Sequence, residues 1–247
     1  MNAGISSKPK PGSATDAVPA LAVGGLTPLT TTDYPGCLAA VVFCQGCPWR
    51  CAYCHNPHLI PRQGENTLPW EEVAAFLGRR RGLLDAVVFS GGEPTLQAGL
   101  GEAMELAREM GFRVGLHTAG MYPERLEQLL PWLDWVGFDV KAPLAGYQRI
   151  TRSGGGDAAR ESLRLLLARG VDTECRTTCH SSLLGNEDLL RMAGELAELG
   201  VKRWVLQVFR PQGCADQELV GMRTAVPDAA LVGRLSALIQ KVEVRAA

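Results

Sequence analysis

The sequence predicts an α/β fold, a partial barrel of six parallel strands with helices packed outside. Three observations predict it. Six short apolar runs alternate with stretches of helical periodicity, the pattern of βαβ units whose right-handed crossovers build a parallel sheet. The chain has 247 residues, 46% of them hydrophobic, enough to bury one large core in a single domain. Every unusual segment also follows a strand, at the carboxyl rim where parallel barrels carry chemistry.

The strand runs are Leu38–Phe43, Ala86–Phe89, Arg113–His117, Trp135–Asp139, Thr173–Arg176 and Arg203–Val208. A cysteine cluster follows the first, Ser90-Gly91-Gly92-Glu93-Pro94 the second and Thr118-Ala119-Gly120 the third. Asp139-Val140-Lys141 ends the fourth, Arg176-Thr177-Thr178 the fifth, and Gln207 to Arg210 the sixth. Helices are read from spacing. Leu189, Leu190, Ala193, Leu196 and Ala197 recur on one face, with Asn186 expected as N-cap and Gly200 as the stop. Leu100, Ala103, Ala107 and Met110 before Gly111 form a second such face, and Leu163, Leu166 and Leu167 before Gly170 a third.

Composition excludes several classes. Charged residues are 21% of the chain and the net charge is −1, so no overall basic field exists to hold a phosphate backbone, and nucleic acid is not expected as a partner. The apolar runs fall well short of the ~20 residues that span a bilayer, so no membrane partner is expected. Residues 1–20 are rich in Pro, Ser, Ala and Lys and lack a secretory h-region. Residues 1–22 are read as a disordered tail and residues 23–247 as the barrel domain. Four of the eight cysteines crowd into Cys44 to Cys54, too close for long-loop disulfides, which favours a reduced, cytoplasmic setting with a metal site.

Cys47, Cys51 and Cys54 are spaced CxxxCxxC in one loop, so three thiolates converge on a soft metal without a long closure penalty. A structural zinc site needs a fourth ligand, for which His55, His58 or Cys44 are available. An iron–sulfur cubane is usually held by four cysteines, so three would leave one iron open. Cys44 complicates both readings, because as a fourth thiolate it would close the cluster; as the last residue of an apolar strand it is expected to be an inert thiol.

The stretch from Cys47 to Pro57, with Tyr53 just before the third cysteine, together with Ser90-Gly91-Gly92-Glu93-Pro94-Thr95, resembles the radical S-adenosylmethionine (SAM) enzymes. Within them it is similar to the activating enzymes of glycyl-radical proteins, above all those serving anaerobic ribonucleoside-triphosphate reductase and, more distantly, pyruvate formate-lyase. The resemblance runs from about Gly25 to Arg245. It implies a radical SAM barrel, a [4Fe–4S] cluster on Cys47, Cys51 and Cys54, and SAM chelating the open iron. It further implies a glycyl-radical loop of a reductase as protein substrate and a low-potential donor such as flavodoxin or ferredoxin.

The resemblance carries roles onto matching residues. Gly91 and Gly92 permit close backbone approach, where carbonyls meet the SAM amino group, and Glu93 adds charge complementarity. Tyr53 lies along the adenine. Asp139 and Lys141, two apart on a strand end, point to one face and reach SAM and the substrate rim. Arg176 needs an anion if buried, and the SAM carboxylate is a candidate beside a structural ion pair. Thr118, Gln207 and Arg210 are placed by their rim positions. His117-Thr118-Ala119-Gly120 departs from the Thr-Asn-Gly of many relatives, which weakens any role for Ala119. The four histidines are read as ordinary polar residues. Two other functions stay open: a radical SAM enzyme acting on a small deazapurine, in the manner of 7-carboxy-7-deazaguanine synthase, and a non-catalytic zinc or iron–sulfur module.

Overall fold

The computed structural model describes residues 21–246; the expected tail over residues 1–20 lies outside them. Leu21 is buried, and Ala22 gives its carbonyl to the Gln45 amide at 2.8 Å. The packed body therefore begins at least two residues before the expected boundary.

In chain order the elements are β1 Val23–Thr30, β2 Ala39–Cys44, α1 Trp70–Gly78, β3 Ala86–Gly91, α2 Leu100–Glu109, β4 Arg113–Thr118, α3 Pro123–Leu129 and β5 Trp135–Asp139. There follow α4 Tyr147–Thr151, α5 Gly156–Ala168, β6 Asp172–Cys179, α6 Asn186–Glu198, β7 Arg203–Val208, α7 Gln217–Gly221, α8 Ala229–Ser236 and β8 Lys241–Arg245. The eight strands form one sheet in the order β1 to β8. All neighbours from β2 to β8 pair in parallel; only β1 runs antiparallel, against β2. The six expected strands are β2 to β7.

Two strands were not expected. β1 carries Gly24, Gly25 and Pro28, which are poor strand formers. β8 reads Lys-Val-Glu-Val-Arg, too short and charged to stand out among the apolar runs. The strand expected at Thr173–Arg176 continues to Cys179, so Arg176 sits in mid-strand, opposite Asp139 at the end of β5.

Strand alternation sends one set of side chains to the helices and the other inward. The large core lies between sheet and helices and includes Val42, Val87, Phe89, Leu116, Phe138 and Leu206. A smaller cluster, Tyr34, Val41, Val88 and Trp135 among its members, fills the inner face below the rim. There the β1–β2 loop folds up so that Tyr34 meets Trp135 at 5.1 Å between ring centroids.

Helix α6 shows how spacing makes an element. Leu189, Met192, Ala193 and Leu196 are buried on one face, each leucine contributing about 1.5–3 kcal/mol by leaving water. Asn186, the expected N-cap, is instead the first helical residue. The cap is Gly185, whose amide donates to the Asp188 carboxylate at 3.2 Å; Asp188 thus satisfies an amide that a capping asparagine would leave free.

Candidate active site

The loop after β2 is tied down at several points along its length. Gly46 and Cys47 donate backbone bonds to the carbonyls of Leu59 (2.8 Å) and Ile60 (3.0 Å). Arg50 and Ala52 donate to Thr151 (3.1 Å) and Ile150 (3.0 Å), at the end of α4, and Cys54 donates to Cys51. The Gln45 side-chain amide donates to the carbonyls of Pro61 and His58 at 2.6 and 3.1 Å. Cys47, Cys51 and Cys54 are thereby held half-buried, whereas Cys44, on β2, is fully buried. Burial pushes the Cys47 thiol up to about 12 and raises Cys51 and Cys54 as well, while the Lys141 charge works against burial at all three.

Between Cys47 and Cys51 the buried Trp49 ring meets Tyr147 edge-on at 5.8 Å and lies against Gly155. A Cβ on Gly155, whose φ is +102°, would sit 2.5 Å from that ring. Gly155 is therefore a seat for the cysteine loop, while Gly156 packs on the Leu144 backbone.

Gly91 and Gly92 close the loop's root. A Cβ on Gly91 (φ +115°) would lie 2.4 Å from the Cys44 nitrogen, and one on Gly92 2.2 Å from the Gly46 carbonyl oxygen. Gly92 and Glu93 donate their amides to Cys44 and Gly46, each at 2.9 Å. The space these glycines leave is filled by the cysteine loop itself.

Glu93 was expected to add charge at the open site, but its carboxylate is 1% exposed and turned inward. It accepts from the Thr95 amide (3.1 Å) and hydroxyl (2.5 Å), the Thr118 hydroxyl (2.7 Å) and the Ala119 amide (3.0 Å). Burial raises its pKa, and these bonds offset part of the rise. Thr118 is equally engaged, since its hydroxyl also accepts from Gly120 at 3.0 Å. Together they bolt the end of β3 to the end of β4. Ala119 takes part through its amide, which any side chain there would supply.

The charged centre joins β5 to β6. Asp139 meets the Lys141 ammonium at 3.0 Å and the Arg176 guanidinium at 3.1 Å. Burial acts to raise the Asp139 pKa, but Lys141 and Arg176 outweigh it and hold the carboxyl well below the usual range. Arg176 lies flat over Gly137, where a Cβ would come within 2.6 Å of Cζ. It also donates to the Gly137 carbonyl at 3.3 Å. Its anion is thus Asp139, the ion-pair alternative, and its donors are used inside the lumen.

Arg176 Nη1 also stands 3.0 Å from His117 Nε2, a contact that sequence reasoning missed. Ser90 Oγ lies 3.2 Å from Nδ1 and the Asp33 carbonyl oxygen 2.9 Å from Nε2. Arg176 requires Nε2 to accept and Asp33 requires it to donate, so the ring serves one partner at a time. Burial and the Arg176 charge bring His117 down to about 4, which keeps it neutral.

Lys141 links this centre to the cysteine loop, its ammonium 5.7 Å from the centre of the Tyr53 ring. Tyr53 is buried, and its hydroxyl has no partner among the described residues. Gln207 is half-buried on β7 and Arg210 exposed beyond it; among the described residues no hydrogen bond joins either side chain to the Asp139 group. Arg210 acts here through its carbonyl, 3.0 Å from His55 Nε2, while the His55 ring stacks on Phe209 at 5.6 Å. His55 is thus a strut between β7 and the cysteine loop. Only its place inside the cysteine run hinted at this.

Among the described residues no three His, Cys, Asp or Glu side chains are gathered closely enough to share one metal ion. An iron–sulfur cluster sets a different requirement, because each thiolate binds its own iron. Three half-buried thiols on an anchored loop, the half-buried Lys141 ammonium near them and a Tyr53 hydroxyl without a partner among the described residues fit a cluster with an organic cofactor.

Residues 41–200 match the family described as Radical SAM superfamily. A protein of Methanocaldococcus jannaschii, provisionally named a glycyl-radical enzyme activating enzyme, is 32% identical over 207 residues, 79% of this chain and 83% of that protein. The pyruvate formate-lyase-activating enzyme of Clostridium pasteurianum is 38% identical over 128 residues, 49% of this chain and 53% of its own. Streptococcus suis SuiB, solved bound to the precursor peptide SuiA, superposes with a TM-score of 0.60 at 13% identity, over 81% of this chain and 46% of its own; that likeness speaks to fold alone. The fold, the cysteine loop and these relatives together establish that the chain belongs to the radical SAM superfamily and its glycyl-radical activating enzymes, a family that uses an iron–sulfur cluster and SAM.

Proposed function

We propose that this chain activates an anaerobic ribonucleoside-triphosphate reductase, holding a [4Fe–4S] cluster through Cys47, Cys51 and Cys54 and SAM beside it. The observation that carries the reading is Lys141, a half-buried cation that pairs with the Asp139 carboxylate and stands over the Tyr53 ring of the cysteine loop. When bound, the reduced cluster and SAM supply a 5′-deoxyadenosyl radical able to take a hydrogen atom from a backbone glycine of the partner.

The chain's own residues position and exclude water. Lys141 offers its ammonium to the SAM carboxylate, and Asp139 fixes that ammonium in place. Arg176 holds Asp139 from behind, and the neutral His117 lies against Arg176 in turn. Tyr53 flanks the adenine. Gly91 and Gly92 keep the root of the cysteine loop against β3, and Glu93 with Thr118 locks the strand ends that frame the pocket. Gln207 and Arg210 line the far rim. The electron comes from a low-potential donor such as flavodoxin or ferredoxin.

The reconstituted, reduced protein mixed with SAM and an anaerobic reductase is expected to give a glycyl-radical doublet in electron paramagnetic resonance. Silence with several such reductases, in samples that still cleave SAM, refutes the partner. Cleavage stimulated by a deazapurine precursor instead would establish the small-molecule function.

A further inference from the structure

Charge around the cysteine loop is distributed unlike that of the rest of the chain. The whole protein has 26 acidic and 25 basic residues. Yet residues 44–64, 140–156 and 203–215, which close around the loop, contain no Asp or Glu. These segments are in direct contact. The backbone bonds from Arg50 to Thr151 and Ala52 to Ile150 join the first to the second, and His55 to the Arg210 carbonyl joins the first to the third.

Four exposed arginines, Arg50, Arg62, Arg152 and Arg210, stand on this carboxylate-free ground. Among the described residues none of the four forms an ion pair, whereas Arg149 on the same ground is matched by Asp188 from α6, and Arg108 and Arg164 elsewhere on the surface by Asp134 and Glu161. Arg50 lies inside the CxxxC spacing. Arg152 follows the residue whose carbonyl Arg50 engages, and Arg62 lies where a Cβ on Gly46 would come within 3.6 Å of its Cα.

We infer that these arginines form a docking collar for a small acidic protein that carries single electrons on a flavin or iron–sulfur group. The inference rests on the cluster reading of Cys47, Cys51 and Cys54. Those thiols are half-buried and Arg50 lies between two of them in the chain, so a carrier that engages Arg50 sits against the cysteine loop. The carrier gives up one electron and the cluster gains it; no bond is made between the proteins. Such encounters bury little surface and depend on charge steering, which raises association rates 10–10³-fold and fades with salt. Unpaired rim arginines supply that steering, since no internal carboxylate neutralises them.

The test uses R62Q/R152Q, which leaves the cysteines and the rim residues intact, with R79Q/R80Q, just past the C-terminal end of α1, as control. Formation of 5′-deoxyadenosine from SAM is followed with two reductants, reduced flavodoxin and a small photoreduced deazaflavin. The flavodoxin-driven rate of R62Q/R152Q is expected to fall about tenfold at low ionic strength and to lose most of its salt dependence. Its deazaflavin-driven rate and both rates of the control should match the unmodified protein. Binding of oxidised flavodoxin to the cluster-free protein should weaken in parallel. An unchanged flavodoxin rate, equal losses with both reductants, or a loss confined to glycyl-radical formation each overturns the collar. If the unmodified protein makes no 5′-deoxyadenosine with either reductant, the SAM reading fails, and the binding measurement alone still decides the collar.

Discussion

Replacing Asp139 by Asn removes one carboxylate from between two cations. The contacts to Lys141 and Arg176 are 3.0 and 3.1 Å, each worth roughly 5 kcal/mol in gross Coulomb terms at an effective dielectric of about 20. Most of that offsets the desolvation of three ions. What matters for the variant is that Lys141 and Arg176, with side chains 15% and 9% exposed, are left without an anion. Breaking a buried pair costs about 3–5 kcal/mol; because the Asp139 side chain is 31% exposed, solvent screening brings this to about 2–3 kcal/mol. At about 2–4 °C per kcal/mol for a chain of this size, the melting temperature should fall by about 4–12 °C.

The pH dependence fixes the sign. The Asp139 carboxyl is held below its ordinary value in the folded protein, so its contribution is complete above the ordinary carboxylate pKa and is lost as pH falls toward the depressed one. The gap between D139N and the parent should therefore be full at neutral pH and narrow in acid. Thermal and urea unfolding of the cluster-free protein across pH measures it, and D139N/R176Q completes a double-mutant cycle. A gap below about 1 kcal/mol at neutral pH, or one that widens in acid, would refute the account.

Removing the Cys44 thiol in C44A should leave iron and sulfide content at parent levels, since Cys44 is sealed in the core, while C47A, C51A and C54A each lose the cluster; a drop in iron in C44A would make it a ligand. In G155A the new Cβ meets the Trp49 ring, whereas in G154A, also at positive φ, it meets nothing within 4 Å. Both should lose about 1 kcal/mol to backbone strain, but only G155A should also lower cluster occupancy, read by iron analysis and visible absorption. In E93Q an NH₂ replaces one oxygen in a ring of four donors, leaving buried donors face to face at a cost of about 2–3 kcal/mol. Denaturant unfolding should show this loss, and an unchanged midpoint would mean the carboxylate is not held as described.

The parallel strands were legible because β2 to β7 are apolar enough to stand out, and the rim because each motif follows one of them. Register was not legible. His117 reaches Arg176 across the glycine at 137, and no local pattern marks a histidine for a partner 59 residues away. Glu93 illustrates the opposite difficulty. Its place in the Gly-Gly-Glu turn was plain, but whether a carboxylate faces a pocket or the interior depends on which strand end lies beside it. The sequence leaves open whether the glycine run at 154–156 touches a partner or merely bends, because it cannot show that a tryptophan from the cysteine loop rests on Gly155.

The anchoring of that loop sets an order of events in the cell. Its amides at Arg50 and Ala52 are satisfied by carbonyls at Thr151 and Ile150, about a hundred residues further along. On the ribosome the three cysteines emerge well before the segment that shapes them, and at ordinary synthesis rates this interval lasts about 5–20 seconds. For that time the cysteine loop lacks the carbonyls that anchor its amides at Arg50 and Ala52. The shape that presents the three thiols together is therefore a late product of synthesis, closed only once the chain has passed Thr151.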